Sequence, residues 1–350
     1  MNAWLSIANQ TYTHLEVVLV DDGSTDSSLQ HCRAWAEQDA RFRVFHTENH
    51  GVSHARNFAL SKCQGDYIGF VDPDDWVNPD MYKIMVENML HYDPDIHGSG
   101  FVMEHEDGPE ISLRQEPARQ MTQDEAIHEI FGFSNEKPIL VWSLCDKLIR
   151  RELIGTLRFD ESLKLSEDQW FLWQLVRKAK LITYTPSLSY HYRMREGSAT
   201  HTAMMPEKRT YLDAMKRIMK EVHTLDKPLQ DEMKWRYDIT VINILKNIIL
   251  TDSLSMKHVY DNGRLHLLKS LPSLLLPHHT SLRKKLGAVA RSRKGILETC
   301  SAQQGTEACD VLLSCSAPSM GARDQREYQW ASAGVLSEGQ GPHVHPREVP

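Results

Sequence analysis

From residue 15 to residue 103 short β-branched apolar runs alternate with helical patterns, and that rhythm restricts the fold more than any other feature. Residues 15–20 read as a strand, and turn residues lead into a helical pattern over 26–38. Residues 41–47 alternate as a strand does, and 53–63 read as a helix closed by Gly65. A third strand spans 66–71, and Pro79 suits the first turn of a helix reaching His91. A β-α-β-α-β-α order needs crossover connections, so it predicts an α/β fold with a mainly parallel sheet covered by helices.

The rest of the chain has other textures. Residues 111–192 are mixed: Ser166 can cap a helix with Glu167 and Asp168 in its first turn, and 181–192 is extended. Residues 206–294 are largely helical. Residues 301–350, rich in Ser, Gly, Gln and Pro, show no sustained period and read as mostly disordered. The expected organisation is a domain over 1–205, a helical region over 206–295 and a tail over 296–350.

Composition narrows the function classes. With 41% hydrophobic and 25% charged residues the make-up is that of an ordinary soluble protein, and a net charge of −7 gives no general nucleic-acid footprint. The six cysteines form no C-x-x-C pair and no zinc spacing, which fits a reducing, cytoplasmic compartment. No run reaches the roughly 18 uninterrupted apolar residues of a membrane span. Residues 281–294 carry six basic and no acidic residues, with Leu282, Leu286, Val289 and Ala290 as an apolar side. Such a helix either lies on an anionic membrane, at the inner face here, or turns a basic face to water.

Four short motifs punctuate this frame. Asp21-Asp22-Gly23-Ser24 follows an apolar strand, where open α/β sheets bind ligands, although the same residues make an ordinary turn. Asp72-Pro73-Asp74-Asp75 ends another strand and crowds three carboxylates, which repel unless water, hydrogen bonds or a cation intervenes. Hard oxygen ligands of this kind suit magnesium or manganese bridging to a diphosphate. In Gly51-Val52-Ser53-His54-Ala55-Arg56-Asn57, Ser53 can cap the helix, leaving Arg56 in a first turn where a cation is misplaced. That oddity favours an anion or base contact for Arg56. Ser166-Glu167-Asp168 places acids where the helix dipole favours them, and a carboxylate there can also serve as a general base.

Read in order across residues 4–201, these motifs resemble family 2 glycosyltransferases of the GT-A fold, the bacterial type that builds capsular or cell-surface polysaccharide. Asn9-Gln10-Thr11-Tyr12, residues 142–148 and Arg195-Glu196-Gly197-Ser198 add to the likeness. The resemblance implies inverting transfer of a sugar from a nucleoside diphosphate donor, UDP-linked, to a hydroxyl of a glycan or lipid-linked acceptor. Asp22 would contact the base with Arg56 nearby. Asp72 and Asp74 would be the Asp-x-Asp pair, toward the ribose and a divalent Mn²⁺ or Mg²⁺. Asp168 would be the catalytic base, and Arg195, Ser198 and His201 would close over the diphosphate.

One departure stands out. Such enzymes open with a strand and a Pro-x-Tyr-Asn-like loop, whereas Met1 here falls inside the helix that should follow. An inner strand is therefore expected to be missing, with poor stability and weak activity, and the alternative is a non-catalytic remnant that binds nucleotide or glycan. A phosphatase reading of Phe70-Val71-Asp72-Pro73-Asp74 is disfavoured, because Asp75-Trp76 follows where Gly-Thr is usual.

Overall fold

A computed structural model of the chain describes residues 3–105, 107–110, 116–131, 139–194, 209–250, 256–274 and 334–338. The elements run α1 (Ala3–Ala8), β1 (Leu15–Asp22), α2 (Ser28–Gln38), β2 (Phe42–Thr47), α3 (Val52–Lys62), β3 (Tyr67–Val71), β4 (Trp76–Val77), α4 (Met81–Tyr92) and β5 (Ile96–His105). They continue with β6 (Gly108–Glu110), β7 (Arg119–Met121), α5 (Gln123–Phe131), β8 (Lys147–Arg150), α6 (Arg151–Ile154), α7 (Glu167–Val176) and β9 (Ile182–Arg193). Last come α8 (Arg209–Val222), α9 (Lys227–Leu250), α10 (Lys257–Leu274) and β10 (Gly334–Glu338). Among the described residues no helix is long and apolar enough to cross a membrane.

The strands form one sheet in the order β2-β1-β10-β3-β8-β5-β9-β4, with β6 beside β5 and β7 beside β9. Val17, Val18, Ile68 and Ile149 are fully buried on β1, β3 and β8, as strands covered on both faces require. Against them pack Ala55 and Ala59 of α3 and Phe171 and Leu172 of α7, all without solvent exposure.

The sheet is mixed, which corrects the mainly parallel one expected. Among the described residues only β1–β2 and β5–β9 pair in parallel; β3–β8, β5–β8 and β4–β9 are antiparallel. Helical crossovers dictate direction only for the strands they join, and β4 and β8 enter after the non-helical stretches 72–75 and 139–146.

The slot expected to be vacant is filled. β10 lies between β1 and β3, antiparallel to both, with Glu338 opposite Leu15 and Gly334 opposite Val71. A stretch within 296–350, read as aperiodic, thus supplies an inner strand. Its five residues, Gly-Val-Leu-Ser-Glu, are too few to show a period of two. A chain ending at residue 333 is expected to lose several kcal/mol, at about 1 kcal/mol for each ladder bond left unmade. Urea denaturation checks this, and an unchanged midpoint would remove β10 from the sheet.

By compactness the chain divides into residues 1–233 with 329–350, and residues 234–328. In the second unit Ile242 is buried among Trp235, Ile239 and Leu267. His266 there pairs with the buried Asp238, 2.5 Å from its Oδ1.

Candidate active site

The site grows from one face of α3. Residues 53, 56 and 57 fall three and four apart, so their side chains share a face. Ser53 Oγ donates to the Leu163 carbonyl at 3.4 Å. Asn57 clasps Phe159 twice, donating from Nδ2 to its carbonyl (3.0 Å) and accepting its N–H at Oδ1 (2.7 Å). Together they fix the segment that leads into α7. The Phe159 ring then stacks on Phe171 at 4.0 Å and lies 5.5 Å from the Arg56 guanidinium.

Arg56 joins two acidic motifs that are nearly a hundred residues apart in sequence. Its Nη1 donates to Glu167 Oε1 at 2.8 Å and its Nη2 to Asp72 Oδ1 at 3.0 Å. The Arg56 and Glu167 side chains are 8% and 11% exposed, while Asp72 keeps 32%, so only Asp72 reaches solvent appreciably. Burial opposes the charge on Arg56, but Asp72 and Glu167 outweigh it and hold the guanidinium firmly protonated. The cation that looked misplaced at a helix start is there for these two anions.

Asp168 follows Glu167 at the start of α7 and keeps partial solvent access. Burial, and then the Asp168 charge, push Glu167 up to about 7. Burial raises Asp168 too, against the pull of Arg56. The preceding Ser166 has a left-handed backbone, φ 64°, and makes no capping hydrogen bond, contrary to the cap expected of it. Nor does Ser53 cap α3, which starts one residue earlier behind Gly51 (φ 95°).

Asp22 is buried and already engaged. Its Oδ1 accepts from Thr47 Oγ1 (3.3 Å) and the His50 N–H (3.1 Å), and its Oδ2 from the Gly51 N–H (2.7 Å). Of about four acceptor positions on a carboxylate, three are therefore in use. Gly23 turns the chain at φ +75°, where a Cβ would meet the Asn49 nitrogen at 2.7 Å. Asp22 thus fastens the end of β1 to the start of α3, and reaches Arg56 only through that helix.

The acidic loop after β3 splits its three carboxylates. Asp72 faces Arg56, and Asp75 turns inward with no exposure. Asp75 accepts from the Tyr190 hydroxyl (2.5 Å) and the Arg193 N–H (2.9 Å). Burial, followed by Asp72, pushes Asp75 up to about 8. Burial, then Asp72, also raises the Cys145 thiol, which stays protonated and is no nucleophile.

Among the described residues no three His, Cys, Asp or Glu side chains form a ready cation cage. Magnesium and manganese seldom need one, since one or two carboxylates plus substrate phosphates suffice, and Asp72 with Asp74 is a donor set of that kind. Arg195, Ser198 and His201, and the basic stretch 281–294, lie outside the described residues. Sequence reasoning missed Tyr190 and Asp75, which contact each other across 115 positions, and Glu167 as the partner of Arg56. The acidic clusters drew attention to Asp75 and Glu167 without revealing their burial or partners, the charge of Arg56 called for an anion without naming Glu167, and nothing local marked Tyr190.

Comparison with known proteins bears on the family and the fold. The model of the family described as glycosyl transferase family 2 matches residues 2–157. Because the match begins at residue 2, it lends no support to a missing first strand. EpsJ of Bacillus subtilis (strain 168), an uncharacterized glycosyltransferase, is 32% identical over 204 residues, covering 57% of this chain and 59% of that protein. The chain therefore spans less than two thirds of that relative. An uncharacterized glycosyltransferase of Haemophilus influenzae is 30% identical over 197 residues, covering 56% of this chain and 74% of that one. In fold the chain resembles S. aureus TarS 1-349 solved with UDP-GlcNAc, at TM-score 0.59 and 24% identity, covering 75% of this chain and 74% of that one. The α/β fold is thus GT-A-like, with a mixed sheet and a helical C-terminal region. With the family model matching residues 2–157 and a relative at 30% identity matched over 74% of its length, the chain belongs to glycosyl transferase family 2.

Proposed function

We propose that the chain transfers a sugar, with inversion, from a nucleoside diphosphate sugar to a hydroxyl of a glycan or lipid-linked acceptor during cell-surface polysaccharide synthesis. One observation carries this reading: Arg56 holds Asp72 and Glu167 together, and so sets the acidic loop beside the α7 residue Asp168. A donor-binding carboxylate and a base must lie close together for such a displacement, and Arg56 of α3 supports this by gripping Asp72 and Glu167, the chain neighbour of Asp168. The alternative is a non-catalytic remnant that binds nucleotide or glycan; β10 fills the sheet position it was partly argued from, and turnover decides between the two readings.

Asp168 takes the proton of the acceptor hydroxyl as that oxygen attacks the anomeric carbon, and the bond from that carbon to the diphosphate oxygen breaks. Asp72 and Asp74 hold a divalent cation, Mn²⁺ or Mg²⁺, which when bound offsets the charge on the departing diphosphate. Asp72 also turns toward the ribose. Asp22 meets the base through its remaining acceptor position, and Arg195, Ser198 and His201 serve the diphosphate. A UDP-linked donor is supported by the TarS complex with UDP-GlcNAc, a protein of similar fold. Work on an envelope polymer is supported by 30% identity to the Bacillus subtilis minor teichoic acid biosynthesis protein GgaB.

Calorimetric titration with UDP tests the site. Binding is expected to depend on Mn²⁺, and Asp74→Ala should weaken it by about tenfold or more. A variant that binds as tightly as the parent would overturn the cation assignment. A parent chain that transfers sugar from no nucleotide sugar would overturn the activity.

A further inference from the structure

The sequence sets three carboxylates within four residues, and Asp75 is the one left without a function. Its side chain is completely buried while Asp72 and Asp74 are not. Both its oxygens are taken, by the Tyr190 hydroxyl and the Arg193 N–H. The same Tyr190 oxygen accepts the Asp72 N–H at 3.2 Å, and the Asp75 N–H donates to the Asp72 carbonyl at 3.2 Å. Two turns of hydrogen bonding therefore pass from β9 through Asp75 into the backbone that carries Asp72.

Flanking contacts lock this arrangement to one register. Trp76 pairs with His191 and Val77 with Tyr190. The Trp76 ring stacks on His191 at 5.1 Å, and the Arg193 guanidinium lies 4.9 Å from its centre. With so much fixed on the C-terminal side, the Asp75 carboxyl is what fastens the turn itself.

We propose that Asp75 is a positioning residue, whose inward carboxyl buckles the loop of Asp72 and Asp74 onto the end of β9 and so sets where those two acids meet the donor. This rests on the donor site proposed above. Asp75 touches neither cation nor nucleotide in this reading; it acts through the Tyr190 hydroxyl and the backbone of Asp72. The prediction is unusual for a member of an acidic cluster, because charge is not what it contributes. An amide of the same shape can accept from the Arg193 N–H and donate to the Tyr190 oxygen.

Calorimetric titration of the full chain with UDP in the presence of Mn²⁺, alongside thermal melts, separates the possibilities. Asp75→Ala is expected to raise Kd by about tenfold or more, as loss of a supporting residue behind ligating carboxylates does, while Asp75→Asn stays within about threefold of the parent. Tyr190→Phe removes a single oxygen and is expected to fall between them; it decides the matter if Asp75→Ala does not fold. Two results overturn the inference: Asp75→Ala binding like the parent, or Asp75→Asn failing as badly as Asp75→Ala, which would make the charge itself a ligand. A parent chain that binds no UDP with Mn²⁺ sinks the donor site, and this inference with it. That outcome is distinct from parent and variants binding alike.

Discussion

Asp168→Asn is expected to lower kcat/KM for sugar transfer by roughly 10³-fold, within the usual range for losing a general base, while UDP affinity hardly changes. Asparagine keeps the shape of the side chain and the acceptor for the Gln169 N–H, which Asp168 Oδ1 takes at 2.7 Å. It cannot receive a proton from the acceptor hydroxyl. Arg56 reaches Glu167 and Asp72 rather than Asp168, so the ion pairs that hold the site survive the change. A companion effect follows from the electrostatics. The Asp168 charge is one cause of the raised Glu167 carboxyl, so the variant should let Glu167 ionise at lower pH. In the parent, the base works only when deprotonated and burial lifts its carboxyl, so the rate should climb with pH on the acid side, over a higher range than an exposed aspartate gives. A variant that keeps more than a tenth of parental turnover would show that Asp168 is not the base.

Arg56→Met is expected to be the most damaging single change to stability. It removes the only described cation that bonds both Glu167 and Asp72, at 2.8 and 3.0 Å. Removing one member of a buried ion pair costs about 3 kcal/mol or more, because the abandoned charge stays desolvated. Here most of that cost falls on Glu167, since Asp72 is about a third exposed and water screens it. The pH dependence has a defined sign. Glu167 stands near 7 in the folded chain, above an ordinary glutamate, so its contribution is present at low pH and is lost as pH rises through about 7. Without Arg56 the carboxyl rises further. The deficit of the variant against the parent should therefore be small near pH 5 and largest above pH 7. Denaturant midpoints at the two pH values measure it. A deficit independent of pH would mean that lost packing over Phe159, not unpaired charge, is responsible. Arg56→Lys should be intermediate, because a single ammonium lacks the fork that spans two carboxylates. UDP binding should weaken in both variants.

Much of the candidate site was legible in the sequence because its parts are local. A carboxylate at a strand end or in a first helical turn announces itself through spacing of two to four residues, so Asp22, Asp72, Asp74 and Asp168 stood out. The tension at Arg56, a cation at the wrong end of a helix, pointed to an anion but not to which one. Asp75 and Glu167 looked like members of solvated acidic clusters, and only their burial shows otherwise. Tyr190 lay inside an extended segment with no local feature to mark it. The expected caps at Ser53 and Ser166 failed for a related reason. Ser53 turns to the Leu163 carbonyl, 110 positions away, and a left-handed backbone at Ser166 sets the approach to α7.

The alternation of apolar periods by itself determined that residues 15–103 form strands joined by helices, since helix and strand patterns are set by neighbours along the chain. The direction of β4 and β8, the presence of β10 between β1 and β3, and the grip of Arg56 on two distant acids were decided only in the folded state. Strand pairing and buried ion pairs join residues whose proximity no local pattern encodes. Their energy appears only once the ladder is closed and the charges have left water.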